Sequence, residues 1–460
     1  MNRTKSAFPA KVLIIITLCL LSGCDNDAPS FSVALSRNRN PYAAGKQAAK
    51  KAIEGLGKNR PKALIFTVYC PSKQLDLTDP AAYLPDVKSE QDAVRGISEI
   101  AGPVQNVGIR TRPMAVVAEA SENCVAVLAM GGKKISCRSV AVPITKNRKK
   151  TGAMIGGMLS KVDDLRMALV LSEMSLNFDP LISENPENFV AGLRRPIPDD
   201  TVIFGGNGMN DPAVPKSEGL KGAQFFNGKT LEGYVVAVGI GGDFNVVAGR
   251  AIEFTTADIV EATKTVGNWI IELDNCPAAD VYRKILQMGK DRELTSDWQH
   301  AVGIESAGGD VVVRMILDWI DPKGLDRTGN HSKLPAGSLM FRRTVKPGRK
   351  IHILKGGDSY GSITSSARRC ADNLVKVAEK EGKPLCMLVS DCWMRRTRLN
   401  CLNGNEAGMI NGITGTARGG KFPVFGFYSF GGLGAVEGKN EEPVYTFQQN
   451  TFLGAVIVED

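Results

Sequence analysis

The apolar residues of this chain recur at two periods. Ala44, Ala48, Ala49, Ala52, Ile53 and Leu56 share one helical face. They follow Asn40-Pro41, an N-cap with proline at the first helical position. Ala63–Val68 is an apolar run of strand length. Ser89 is placed to cap a second helix, with Val94, Ile97 and Ile100 inward and Gly102-Pro103 as its stop. Val107–Thr111, Met114–Ala118 and Val125–Met130 continue as strands, and Gly131-Gly132 predicts a hairpin into Lys133–Ser136. A helix over Thr151–Val162, a strand at Met167–Leu171 and a short helix at Pro186–Leu193 come next. The strand beginning at Val202 runs into the polar glycine loop Gly205-Gly-Asn-Gly-Met-Asn-Asp211. Ala223–Phe226 is a strand that turns at Asn227-Gly228, and Tyr234–Ile240 is a further strand.

A second unit starts near Phe254. Trp269–Leu273 leads to an Asp274-Asn275 turn, and Pro277–Leu286 is a helix. Val311–Trp319 and Ile351–Leu354 read as strands, Ser362–Lys380 as a long helix and Leu385–Ser390 as a strand ending in Asp391. Asn405–Thr416 is helical. The closing segments Phe422–Gly431 and Val444–Val458, joined through the acidic loop Val436–Glu442, predict two strands of a buried sheet. Asn450 and Thr451 interrupt the second. Buried there, they need partners from the protein or from a ligand. The pattern predicts an α/β (α+β) fold, with mixed sheets layered by helices. It places two domains, 41–253 and 254–460, behind a tether at 24–40, and shows no short repeat.

The first residues read as an address. Met1–Lys11 is basic, Val12–Leu21 is apolar but too short to cross a bilayer, and Ser22-Gly23-Cys24 follows. Leu21-Ser-Gly-Cys24 resembles a bacterial lipobox, which implies removal of residues 1–23 and diacylation of Cys24. Asp25 resembles an inner-membrane retention signal, so the expected location in a Gram-negative cell is the periplasmic face of the inner membrane. An oxidising compartment permits disulfides. Cys124 with Cys137, across the predicted hairpin, and Cys392 with Cys401 are the candidate pairs.

Composition adds little. The 460 residues are 43% hydrophobic, with a formal charge of +9. Removing the leader leaves 54 bases against 48 acids. The basic clusters Lys146–Lys150, Arg342–Lys350 and Arg395–Arg398 carry no regular interleaving of aromatics, so they read as solvated surface and not as a nucleic-acid interface.

Gly205–Asp211, Phe225-Phe-Asn-Gly228, Pro277-Ala-Ala-Asp-Val-Tyr282, Gly426-Phe-Tyr-Ser-Phe-Gly431 and Asn450-Thr451 stand in the order seen in FIST proteins. The chain resembles a FIST N-terminal domain followed by a FIST C-terminal domain. The resemblance implies a non-enzymatic sensory module for a small ligand such as an amino acid, working through a membrane signalling partner because no output domain is visible. Some relatives bind haem and respond to nitric oxide, which is the alternative reading. Two family carboxylates are missing. Gly431-Gly432 replaces a Gly-Glu pair, and Gly108-Ile-Arg-Thr-Arg-Pro113 replaces a turn ending in Glu. Arg110 and Arg112 therefore tilt the site toward an anion.

The expected ligand-binding residues are Arg110, Asn207, Asp211, Asp391, Tyr428, Asn450 and Thr451, with Arg110 as a clamp for a ligand carboxylate. Gly357-Asp-Ser-Tyr-Gly361 has the form of a nucleophile elbow at Ser359, but His300, His331 and His352 all precede it, against the triad order of that fold. The scattered histidines predict no metal centre, and no cofactor is expected unless His352 ligates a haem.

Overall fold

The computed structural model describes residues 28–71, 86–114, 123–173, 186–208, 223–289, 292–294, 300–305, 309–326, 332–341, 344–357, 360–401, 406–420, 422–436, 444–449 and 451–460. Its organising feature is one strand–helix unit used three times. The first unit runs β1 (Ser30–Ser36), α1 (Pro41–Glu54), β2 (Pro61–Tyr69), α2 (Val87–Ala101), β3 (Gln105–Arg110) and β4 (Cys124–Gly131). The second runs β5 (Ile135–Pro143), α3 (Arg148–Leu159), β6 (Leu165–Ser172), α4 (Pro186–Arg194), β7 (Val202–Asn207), β8 (Ala223–Phe226), β9 (Lys229–Glu232) and β10 (Tyr234–Gly242).

The third unit opens with β11 (Phe244–Ala251) and is interrupted by an insertion. The insertion comprises β12 (Phe254–Val266), β13 (Trp269–Leu273), β14 (Cys276–Pro277), α5 (Ala278–Leu286), β15 (His300–Glu305), β16 (Val311–Arg314), β17 (Asp318–Trp319), β18 (Leu339–Met340) and β19 (Arg349–Gly356). The unit resumes with α6 (Tyr360–Glu381), β20 (Lys383–Cys392), α7 (Trp393–Cys401), α8 (Glu406–Gly420), β21 (Val424–Ser429), β22 (Gly432–Val436), β23 (Val444–Gln448) and β24 (Phe452–Glu459).

The strand orders show the repetition. They are β1-β4-β2-β3, β5-β10-β6-β7 and β11-β24-β20-β21. Within each unit the second and third strands are parallel and joined through a helical crossover, among the described residues one helix in each of the first two units and two in the third. Each last strand runs antiparallel between the first and second.

The units close into a ring by lending backbone to one another. The second unit's hairpin β8–β9 extends the first sheet beside β3. The third unit's hairpin β22–β23 extends the second sheet beside β7. The first unit completes the circle. Pro113 bridges Phe427 on β21, the Met114 N–H donates to the Gly426 carbonyl at 2.8 Å, and the Tyr428 N–H donates to the Arg112 carbonyl at 3.1 Å. One apolar core fills the ring, with Ile65 and Val107 from the first sheet, Leu169 and Phe204 from the second, and Leu388 and Phe427 from the third. Helices cover the three outer faces. The insertion forms a separate sheet, β16-β15-β19-β12-β13-β18-β17, with α5 and its own core.

Several sequence expectations change here. Ser30–Ser36, read as tether, is a strand. Phe31, Val33 and Leu35 alternate at period two and pack against the central core. Asn40 caps α1, accepting from the Ala43 N–H at 2.9 Å, whereas α2 is capped by Asp86 and Ser89 lies inside it. Cys124 and Cys137 do not flank a hairpin. Gly131-Gly132 turns the chain from the first sheet into the second, so the two cysteines belong to different sheets and Cys137 keeps a free thiol. Burial pushes that thiol up to about 12. The partner proposed for Cys392, Cys401, has its side chain outside the described residues, as does Cys24. Val444–Val458 is not one strand. Its polar break is the corner where the chain leaves β23 in the second sheet for β24 in the third.

Helix pairs pack through glycine. A Cβ on Gly96 would lie 2.2 Å from the Tyr42 carbonyl oxygen of α1, and one on Gly192 would lie 2.0 Å from the Lys149 carbonyl oxygen of α3. Both contacts are with backbone, so relief requires the helices to separate. Gly96→Leu is expected to cost about 1–3 kcal/mol, read as a lower urea midpoint. An unchanged midpoint would show that the α1–α2 contact is looser than this spacing.

Candidate functional site

The carboxyl ends of the parallel strands of all three units point to one rim. Arg110 ends β3, Ser172 and Asn207 end β6 and β7, and Asp391 and Tyr428 stand side by side near the ends of β20 and β21. Ligands gather at such ends because two neighbouring strands leave a crevice there and their chains depart in different directions. The ring joints stitch the rim together. The Thr111 hydroxyl donates to the Tyr428 carbonyl, and the Phe430 N–H donates to the Asn207 carbonyl at 3.1 Å. The Cys392 N–H donates to the Thr451 carbonyl at 3.2 Å. Arg110, Asn207, Asp391, Tyr428 and Thr451, scattered over 342 positions of sequence, thus occupy one end of the ring. Asp211, Asn450 and Ser359 lie outside the described residues.

The charges at this rim are buried and paired. The Arg110 Nε donates to both Glu90 oxygens at 3.0 and 2.8 Å, and its Nη2 lies 2.7 Å from Oε2. This corrects the expected clamp. Arg110 grips a carboxylate of its own chain, supplied by α2.

The basic cluster Arg395–Arg398 also changes standing. Read as solvated surface, it is buried at 0, 5 and 1% exposure for Arg395, Arg396 and Arg398. The Arg395 Nε donates to Asp391 Oδ1 at 2.7 Å, one helical turn from strand end to helix, and its Nη1 reaches Glu253. The Arg398 Nη1 donates to Glu253 Oε1 at 3.0 Å and its Nη2 to the Gly357 carbonyl at 2.7 Å. Glu253 and Gly357 are where the chain enters and leaves the inserted sheet, so these arginines fasten its neck to the rim. The Asp391-x-x-x-Arg395 spacing was the available signal. Composition alone masked it, because a run of arginines reads as surface until its acids are found elsewhere.

A second cluster surrounds Glu406 at the start of α8. Its Oε1 accepts from the Tyr428 hydroxyl at 2.9 Å, the Arg396 Nε lies 3.1 Å from both its oxygens, and the Arg112 Nη2 is 3.9 Å away. Burial acts to raise the Glu406 pKa. The Arg396 and Arg112 guanidiniums outweigh it and hold the carboxyl below its usual value. Burial, followed by the Glu406 charge, pushes the Tyr428 phenol well above its usual value, so Tyr428 stays a donor. Trp393 packs edge-on to Tyr428 and stacked on Phe430, with ring centroids 5.9 Å apart in both pairs.

At the rim, the Asn207 amide nitrogen and Asp391 Oδ2 are buried with no hydrogen-bond partner among the described residues. Asn207 Oδ1 is taken by the Ser172 hydroxyl. Burial pushes Asp391 up to about 6 against the pull of Arg395. Below Tyr428 and Asp391 on the same sheet face, a small apolar cavity of about 10 Å³ lies between β20, β21 and α8, lined by Met114, Val389, Ile410, Ile413, Thr414, Val424 and Gly426. His352 lies on the inserted sheet instead. Its Nδ1 is 3.2 Å from the Thr256 hydroxyl and its Nε2 is 3.0 Å from Glu305. Both ring nitrogens are engaged, which does not suit an axial haem ligand.

Fold and rim together define a closed ring of α/β units with a desolvated polar junction, the scaffold of a binding protein. The chain matches the FIST N domain over residues 85–275 and the FIST C domain over residues 278–435, in tandem, and belongs to the FIST family, whose domains are small-ligand sensory modules of signal transduction. No curated protein matches it. Among solved structures it is similar to a cyanuric acid hydrolase from A. caulinodans, at 14% identity, covering 47% of this chain and 71% of that one with a TM-score of 0.27. It is also similar to PurLQS from Thermotoga maritima, at 10% identity, covering 93% and 72% with a TM-score of 0.22.

Proposed function

We propose that this protein is a lipid-anchored, extracytoplasmic sensor that binds a small amino-acid-like solute at the strand-end rim and passes its occupancy to a signalling partner in the membrane. Convergence carries the reading. Residues from three sheets meet at one rim, and there the Asn207 amide nitrogen and Asp391 Oδ2 are buried without partners among the described residues. An orphaned buried polar atom costs about 1–3 kcal/mol, and a bound solute that satisfies it recovers that cost. The leader and Cys24 support the anchor, and Asp25 supports the periplasmic face of the inner membrane.

The test is thermal unfolding of the full chain in detergent micelles across a panel of amino acids and small organic acids. A true ligand at a hundred times its Kd stabilises by about 2.7 kcal/mol. A panel without any shift would end the reading. For the anchor, palmitate labelling and membrane fractionation of wild type and Cys24→Ser are decisive, with loss of both label and membrane association expected in the variant.

A further inference from the structure

Arg396 stands apart from the other arginines of the rim. It is 5% exposed, yet it spends a single N–H on the described residues. That N–H, on Nε, sits between the two Glu406 oxygens at 3.1 Å each. Neither Nη1 nor Nη2 makes a hydrogen bond to the described residues. Arg110 and Arg395, by contrast, use their Nη groups on Glu90, Glu253 and the Ile363 carbonyl. The plane of the Arg396 guanidinium is also fixed. Its centre lies 4.5 Å from the Trp393 ring centroid and 5.6 Å from that of Tyr428. The carboxylate behind and the aromatic rings around it remove the freedom an arginine otherwise loses on binding.

We propose that Arg396 is the anion fork of the ligand site and that the group it takes is a carboxylate. This rests on the sensor reading above and names the ligand's chemistry. A held guanidinium with its paired Nη donors free matches the two coplanar oxygens of a carboxylate bidentately. A phosphate would also fit the fork. It would, however, bring nearly two negative charges next to Glu406, whose own charge is kept by Arg396 and Arg112. Repulsion scales with that charge, so the monoanion is favoured. The role given to Arg110 by its place in the sequence therefore belongs to Arg396, on a different unit of the ring.

The experiment compares acids with their amides on the full chain in micelles, by thermal shift and by calorimetric titration. The probes are propionate with propionamide, benzoate with benzamide, and inorganic phosphate. Wild type is expected to bind the acids at least about tenfold more tightly than the matched amides, the step a lost charge-assisted pair of hydrogen bonds produces. Arg396→Lys keeps the charge but removes the fork, and should weaken the acids about tenfold while changing the affinity for the matched amides little. The acid–amide comparison needs no variant, so it stands even where Arg396→Lys folds poorly. Amides binding as well as acids would overturn the fork and leave the sensor reading in place. Phosphate binding more tightly than either carboxylate would overturn the assignment of ligand class. Silence from these probes together with silence from the amino-acid panel would overturn both proposals.

Discussion

Arg395→Met is expected to destabilise the protein by roughly 3–5 kcal/mol, the cost of stranding buried charge when one partner of an ion pair is removed. Methionine fills most of the volume, so the loss is electrostatic. Asp391 would lose the donor at 2.7 Å, Glu253 would lose one of its two arginines, and the Ile363 carbonyl would lose a bond of 3.0 Å. The same network ties the neck of the inserted sheet to the rim, so hydrogen exchange should rise at both crossings, near Glu253 and Gly357.

The deficit depends on pH with a definite sign. Burial raises Asp391 to about 6, above its unfolded value. A carboxyl raised on folding contributes stability that is fully present below its unfolded pKa and lost as pH rises through the folded one. Without Arg395 the upward push is larger, so protonation relieves the variant more than the wild type. Urea midpoints at pH 7.5 and pH 5.0 should show the gap narrowing on acidification. A gap of equal size at both pH values would mean that Asp391 is not the stranded charge.

Phe427→Ala is the second large effect, at about 3–5 kcal/mol for emptying a core phenylalanine. Phe427 is 1% exposed in the core shared by three sheets, on the strand where Pro113 closes the ring. A cavity there touches all three units, so their unfolding should remain a single transition at a lower midpoint. Ile259→Ala, on the inserted sheet at 49% exposure, should stay within about 0.5 kcal/mol. Comparable losses in the two variants would place the stability of the molecule elsewhere than the ring core.

Much of this architecture was legible residue by residue. The Asn40-Pro41 cap, the alanine face of α1 and the apolar runs of β2, β6, β20 and β21 stand close to where the periodicities put them. Asp391 was recognisable as a polar group at the end of an apolar strand. The threefold repetition was not. In hindsight Glu90-Gln-Asp-Ala-Val-Arg-Gly-Ile97 and Glu406-Ala-Gly-Met-Ile-Asn-Gly-Ile413 hold Glu, Gly and Ile at equal spacing, and Pro186-Glu-Asn-Phe-Val-Ala-Gly-Leu193 keeps the glycine and the aliphatic residue after it. Gly96 and Gly192 recur because each lets a helix lie against its neighbour's backbone, a contact that leaves only a glycine as its trace. The 103 residues of the insertion, 254–356, push the third unit's pieces apart and hide the period.

What the sequence determined by itself was local: which stretches are helix or strand, where they start, the family to which their order belongs, and which polar residues sit at strand ends. Those follow from short-range backbone and side-chain preferences. Only the tertiary structure decided who pairs with whom. Glu90 occupies Arg110, Glu253 holds Arg395 and Arg398 across more than 140 positions, and the Arg396 Nη groups make no hydrogen bond among the described residues. A buried charge is defined by the partner that neutralises it, and in a ring closed by borrowed strands that partner comes from a distant part of the chain.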